Sequence, residues 1–158
     1  MSLYLGGPLG LVAARSEFRR AHAAARLRGI VARGLRRCAR LCALADALPE
    51  VAGPSGGDRP AALVRGRRRL ADVPLDRVVG SLARADDYAP GFLPLVGSDE
   101  ERWANVYLAL EGQEGLPPVE LVELNGDYYV EDGHHRVSVM KRLGVRSAEA
   151  YATPLRAV

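Results

Sequence analysis

The 158-residue sequence predicts an α+β fold: a mixed α and β domain over residues 71–158, preceded by a basic helical extension with a Pro/Gly linker over residues 1–70. Three observations carry this. With 48% hydrophobic and 26% charged residues the chain has an ordinary globular composition, which excludes wholesale disorder, collagen and a membrane bundle. Before Pro49 a long stretch dominated by Ala, Leu and Arg reads as helix, whereas after Leu70 β-prone runs alternate with helix starts and glycine turns. Charge divides at the same place: residues 1–70 hold 14 Arg against four acids, a net +10, and residues 71–158 hold 8 basic residues against 15 acids, a net −7.

Taken in order, Ser16 to about Leu48 is expected to be helical, with Phe18, Ala21, Ala25, Ile30, Leu41, Leu44 and Leu48 among its apolar positions and a bend or break near Gly29 and Gly34. Cys38 and Cys42 then share one helix face and close no long loop, which excludes a disulfide framework and points to a reducing cytoplasm. No apolar run approaches the roughly 20 residues of a membrane span. The start, Met1 to Ala14, lacks a charged n-region and contains Gly6-Gly7-Pro8, so it suits a secretory signal poorly; residues 15–45 resemble an organelle presequence only in being Arg-rich.

Pro49 to Pro60, with three Gly and three Pro in twelve residues, reads as the linker. Arg65, Arg67, Arg68 and Arg69 follow around Gly66, either a solvated block or a contact for nucleic-acid phosphates. Val73 to Val79 is expected to be a short strand entering a helix or turn that Gly80-Ser81 closes. Ser98 is expected to cap a helix, with Glu101 completing the capping box and Trp103, Val106, Tyr107 and Leu110 as its core stripe before Gly112. Val119–Leu124 and Tyr128–Val130 flank Asn125-Gly126, the strongest short-range hairpin signal. After Asp132-Gly133, Val137, Met140 and Leu143 mark a helix capped by Gly144, and Ser147 to Ala152 is a last β-prone run.

The chemistry concentrates in Tyr129-Val130-Glu131-Asp132-Gly133-His134-His135-Arg136, where a strand gives way to a helix. The first N–H groups of a helix lack partners and face the positive end of its dipole, so an anion binds well there. Gly133 lets the backbone come close, Arg136 can grip phosphate oxygens bidentately, and His134 and His135 can exchange protons near neutrality. Two other readings compete. Metal binding lacks the HxxxH or HExxH spacing that puts ligands on one helix face. In the structural reading Asp132 caps the helix and the histidines satisfy backbone groups.

These residues resemble the ParB/sulfiredoxin superfamily: a strand, Asp-Gly-His-His-Arg, an apolar-faced helix ending in Leu-Gly, then a strand, with Val73 to Val78 similar to the opening of ParB N-terminal domains. The resemblance covers roughly residues 71–153 and implies a small mixed sheet with packed helices. In partition proteins of this type a Gly-Glu-Arg-Arg box contacts CTP; Gly133 and Arg136 match it, and His134 and His135 do not. In sulfiredoxins a Gly-Cys-His-Arg box binds ATP, but His134 stands at the nucleophilic cysteine's place. The free-serine kinases carry Asp-Gly-His-Thr-Arg, which Asp132, Gly133, His134 and Arg136 match with His135 in place of Thr.

The resemblance implies a nucleotide, ATP or CTP with Mg2+, or a phosphorylated small molecule, held by Gly133, His134, His135 and Arg136. Its alternative is a small phosphotransferase or phosphohydrolase with Asp132 and His134 as catalytic residues and an upstream acid, Asp76, Asp86 or Asp87, near the acceptor hydroxyl. Two roles are open for the basic half: binding DNA, or packing its arginines on the acidic half within a monomer or across a homodimer.

Overall fold

Three α-helices and a curled, mixed seven-stranded sheet make up the fold in the computed structural model, which describes residues 8–34, 40–48, 50–52, 58–60, 62–112 and 115–157. The helices are α1 (Pro8–Gly34), α2 (Glu100–Glu111) and α3 (His134–Arg142). In chain order the strands are β1 (Cys42–Ala43), β2 (Glu50–Ala52), β3 (Asp58–Pro60), β4 (Leu63–Arg65), β5 (Arg69–Pro74), β6 (Val78–Ser81), β7 (Tyr88–Ala89), β8 (Leu93–Pro94), β9 (Val119–Leu124), β10 (Asp127–Asp132) and β11 (Ser147–Ala157). The large sheet runs β1-β6-β10-β9-β11-β4, with β5 also on β11; β2–β3 and β7–β8 pair separately. β6 lies parallel to β1 and β10, and β11 parallel to β9 but antiparallel to β4 and β5.

Local chemistry explains the clearest elements. Asn125 and Gly126 both have positive φ, 54° and 83°, and join β9 to β10 as a two-residue turn of the primed type, with Leu124 opposite Asp127. At the end of α3 the Gly144 N–H bonds Lys141 O (3.2 Å) and the Val145 N–H bonds Met140 O (3.0 Å), a Schellman motif with Gly144 at φ 73°. Pro154 is tolerated inside β11 because its neighbours β4 and β5 break there. Across that break the Gly66 N–H bonds Pro154 O at 2.8 Å.

Side chains alternate across the sheet. Leu121 and Val130, with Val73, Val78 and Val119, form one core with Val137 and Met140 of α3. Val122 and Tyr129 face the other way, onto Leu44, Leu48 and Leu63 from the N-terminal half. Ala14, Phe18, Ala21 and Ala25 form the buried stripe of α1, and Phe18 meets the edge of the Trp103 ring at 5.8 Å. The basic half therefore covers one sheet face and closes the core of α2, so its packing on the acidic half is a feature of the fold.

Four expectations need correction. Helix does not continue to Leu48: among the described residues it ends at Gly34, and residues 40–48 turn into β1 and a 3-10 turn. Backbone pairing decides this, since Leu41 N bonds Tyr88 O at 2.9 Å and Cys42 lies opposite Gly80, which puts Leu41 and Leu44 into two different cores. Cys42 is thus a free thiol on a strand, and Cys38 lies outside the described residues. Ser98 does not cap α2; it sits in a 3-10 turn over Gly97–Asp99, and no side-chain cap bond forms at Asp99 because Arg84 takes that carboxylate at 3.1 Å. Gly80 and Ser81 do not close a turn but lie inside β6, where a Cβ at Gly80 would strike Cys42 O and the Tyr129 ring. Leu143 falls past the end of α3 and is 37% exposed.

Candidate functional site

The site begins with an irregularity in β10. Val130 lies opposite Leu121 but Asp132 lies opposite Glu120, so Glu131 is the extra residue of a bulge that turns the strand toward α3. Gly133 follows at φ 100°, a left-handed conformation that disfavours any Cβ. A Cβ there would also come within 2.7 Å of Val119 Cγ1 and 3.0 Å of Arg136 Nη2. The first hydrogen bond of α3 runs from Val137 N to Gly133 O (3.0 Å), so the amides of His134, His135 and Arg136 have no intrahelical acceptor.

These residues wall a cavity of about 490 Å³, shared with Arg84, with Arg102 and Asn105 of α2, and with Leu116 and Pro117. His134 points inward and is buried. Its Nε2 lies 2.7 Å from Ser81 Oγ, its ring stacks on Tyr88, and burial, reinforced by the Arg84 charge, pushes its pKa down to about 4. The imidazole is therefore neutral near pH 7. Ser81 Oγ accepts from the Arg84 amide (2.9 Å), which leaves its hydroxyl proton free for Nε2.

His135 is held by Tyr88, whose Oη stands 3.3 Å from Nδ1. Burial raises the phenol's pKa, so Tyr88 remains a neutral hydroxyl, able to donate to Nδ1 or accept from it according to the ring's tautomer. The other ring nitrogen, Nε2, is buried with no hydrogen-bond partner among the described residues, 3.8 Å from Asp99 Oδ2. Burial lowers the His135 pKa, and Asp99 partly offsets this.

Arg136 acts as a brace. Its Nη1 donates to Pro117 O and Pro118 O, both at 2.9 Å, and its Nη2 to Asp132 Oδ2 at 2.9 Å. It thereby ties the segment before β9 to the start of α3. Arg84 is also engaged, by Asp87 at 2.6 Å and Asp99 at 3.1 Å. Arg102 has no acidic partner among the described residues and is the cation left over at the cavity wall.

The structure thus brings together Asp132, Gly133, His134, His135 and Arg136, with Asp132 exposed and His134 turned into the core. It does not bring the anticipated acids to them: Asp87 is taken by Arg84, Asp86 by Arg40 at 3.4 Å, and Asp76 lines a different cavity. Asp99 is the acid that faces His135, and sequence reasoning missed it, along with Arg84, Arg102 and Asn105, because an acid beside a helix start reads equally well as dipole compensation.

The arginine block spans the break between β4 and β5 and lies over the acidic strands. Arg65 forms a two-pronged pair with Glu131 (2.8 and 3.2 Å), Arg68 pairs with Glu120 while stacked 3.7 Å over the Tyr151 ring, and Arg69 reaches Glu123 at 2.9 Å. Arg67 is exposed without an acidic partner among the described residues. Among those residues no group of three or more His, Cys, Asp or Glu could hold a metal ion, and no helix is long and apolar enough to cross a membrane. Comparison of the chain with protein-family models, curated proteins and solved structures found no match.

Proposed function

We propose that this chain is a nucleotide- or phosphate-binding protein of ParB/sulfiredoxin type, taking the phosphates at the start of α3. The observation that carries the reading is the conjunction on one cavity of Gly133, three amides without helical acceptors and Arg102, which has no acidic partner among the described residues. Backbone amides and the helix dipole supply directed positive potential there, and Arg102 adds a full positive charge. In this assignment Arg136 and His134 are positioning residues, the first clamping Asp132 and the second anchoring the turn to Ser81. Asp132 is the carboxylate lining the cavity and could hold the Mg2+ of a bound ATP or CTP.

A second reading, the phosphotransferase, draws on Asp132 itself, which is largely exposed at the cavity wall and can meet an acceptor hydroxyl. Nucleic acid is a weaker reading of the basic half, because a DNA phosphate at Arg65, Arg68 or Arg69 must displace a glutamate.

Calorimetric titration with ATP, CTP and their diphosphates tests the main reading. We expect saturable binding that falls about tenfold or more in Arg102→Ala, since a hydrogen bond to a charged group contributes ~1.5–3 kcal/mol. Absence of saturable binding of all four ligands to the wild type refutes it. Turnover with small alcohols or amino acids, lost in Asp132→Asn, would move the assignment to the second reading.

A further inference from the structure

The C-terminal end of α3 carries a second cavity, of about 370 Å³, whose walls include Arg28 of α1, Asp76, Lys141, Arg142 and the apolar Leu75 and Val145. Over a nine-residue helix this is roughly 12 Å from the Gly133 turn, so the two cavities are separate.

Lys141 is the sole lysine of the chain. Its ammonium is partly buried, 5.4 Å from the centroid of the Phe92 ring, and among the described residues it has no hydrogen-bond or ion-pair partner. Burial lowers its pKa, and the Asp76 charge opposes that without contact. The neighbouring guanidiniums are only partly occupied: Arg28 donates one bond to Pro90 O (3.1 Å), and Arg142 lies 3.3 Å from a single Glu17 oxygen. A desolvated ammonium without an acceptor is costly. An oxyanion would supply the missing acceptors to all three.

We propose that this cavity binds a small doubly charged oxyanion, of phosphate or dicarboxylate type, with Lys141 as its central contact and Arg28 and Arg142 at its rim. The volume admits a group larger than inorganic phosphate, and the apolar wall of Leu75 and Val145 suits a short carbon backbone behind the charges.

Reductive methylation with 13C-formaldehyde tests this, because it keeps the charge and places a label on Lys141 and the chain's α-amino group alone. Methyl phosphate and succinate, both dianions where a lysine titrates, are titrated separately at constant ionic strength, and the label is followed by NMR as pH is varied. We expect a saturable shift of the Lys141 signal with at least one of them and a rise of about one pH unit in its titration midpoint, the mark of an anion bound about tenfold more tightly to the ammonium. The α-amino signal should not follow. The arm that saturates at lower concentration identifies the oxyanion type. A Lys141 signal that moves only in proportion to added salt, or together with the α-amino signal, overturns the proposal. So does unlabelled Lys141→Met protein that binds either anion calorimetrically as well as wild type. Since the label reports the C-terminal end of α3, its response is read independently of nucleotide binding at Gly133.

Discussion

Acid should weaken this protein through His134, and the size of the effect follows from the geometry. The ring is 6% exposed, bonded to Ser81 Oγ at 2.7 Å and stacked on Tyr88, and its pKa lies at about 4 against 6.5 for an unhindered imidazole. Above pH 6.5 the residue is neutral in both folded and unfolded chains and costs nothing. As pH falls below 6.5 the unfolded chain takes up a proton that the folded one refuses, so stability drops until about pH 4, where the folded form accepts it too. At ~1.4 kcal/mol per pH unit the interval amounts to ~3 kcal/mol, a large part of a typical domain's ~5–15 kcal/mol. The assay is urea unfolding between pH 4 and 7.5, followed by the fluorescence of Trp103, the single tryptophan and fully buried. His134→Gln, which can keep a hydrogen bond to Ser81, should lose most of this pH dependence; a residual slope of the same sign is expected from His135, whose pKa burial also lowers. Parallel stability curves for variant and wild type, or an imidazole signal of His134 titrating near 6.5, would refute the reasoning.

Ser138 joins α3 to α2 and to the turn before β8, accepting from Trp103 Nε1 (2.9 Å) and donating to Phe92 O (2.6 Å). Ser138→Ala strands both groups in the core and should cost about 2–4 kcal/mol, read by calorimetry as a fall in Tm of roughly 5–15 °C; a loss below ~1 kcal/mol would contradict the bonding. Phe18→Ala empties the contact between α1 and Trp103 and should cost about 3–5 kcal/mol in urea unfolding. A chain lacking residues 1–34 that still folds with a buried, unshifted Trp103 emission would show that α1 is not part of the core. Replacing Glu120, Glu123 and Glu131 by Gln frees Arg68, Arg69 and Arg65. DNA affinity at low salt should then rise and depend more steeply on salt than in the wild type, and unchanged affinity would mean that the arginine block does not reach nucleic acid.

Much of this fold was legible because its signals are local. The hairpin at Asn125-Gly126 needs two residues with positive φ, and the end of α3 needs one at Gly144; residue chemistry states both requirements. The strand-to-helix turn at Asp132-Gly133 belongs with these, and so does the stripe of Trp103 and Tyr107. What failed was non-local. Propensity over residues 40–48 says helix, but the open edge of β6 offers backbone partners to Cys42 and Ala43, and two hydrophobic cores compete for Leu41 and Leu44.

The candidate site divides along the same line. Its backbone, with Gly133 and the first amides of α3, could be read directly, since helix ends bind anions for reasons internal to the helix. The partners of its side chains could not. Coulomb attraction and burial act through space, and sequence separation is no guide to either: Ser81 and His134 are 53 positions apart, and Arg65 and Glu131 are 66.

The amino-acid sequence by itself determined that this is an α+β chain with a glycine turn opening a helix, and that its two halves carry opposite charge. Tertiary structure alone decided that the halves are not independent. It set Arg65, Arg68 and Arg69 on glutamates of the sheet and the stripe of α1 on Trp103, and left Arg102 and Lys141 without acidic partners among the described residues. The physical reason is that net charge is additive along a chain, whereas pairing depends on which charges the packing of apolar faces brings within a few ångströms.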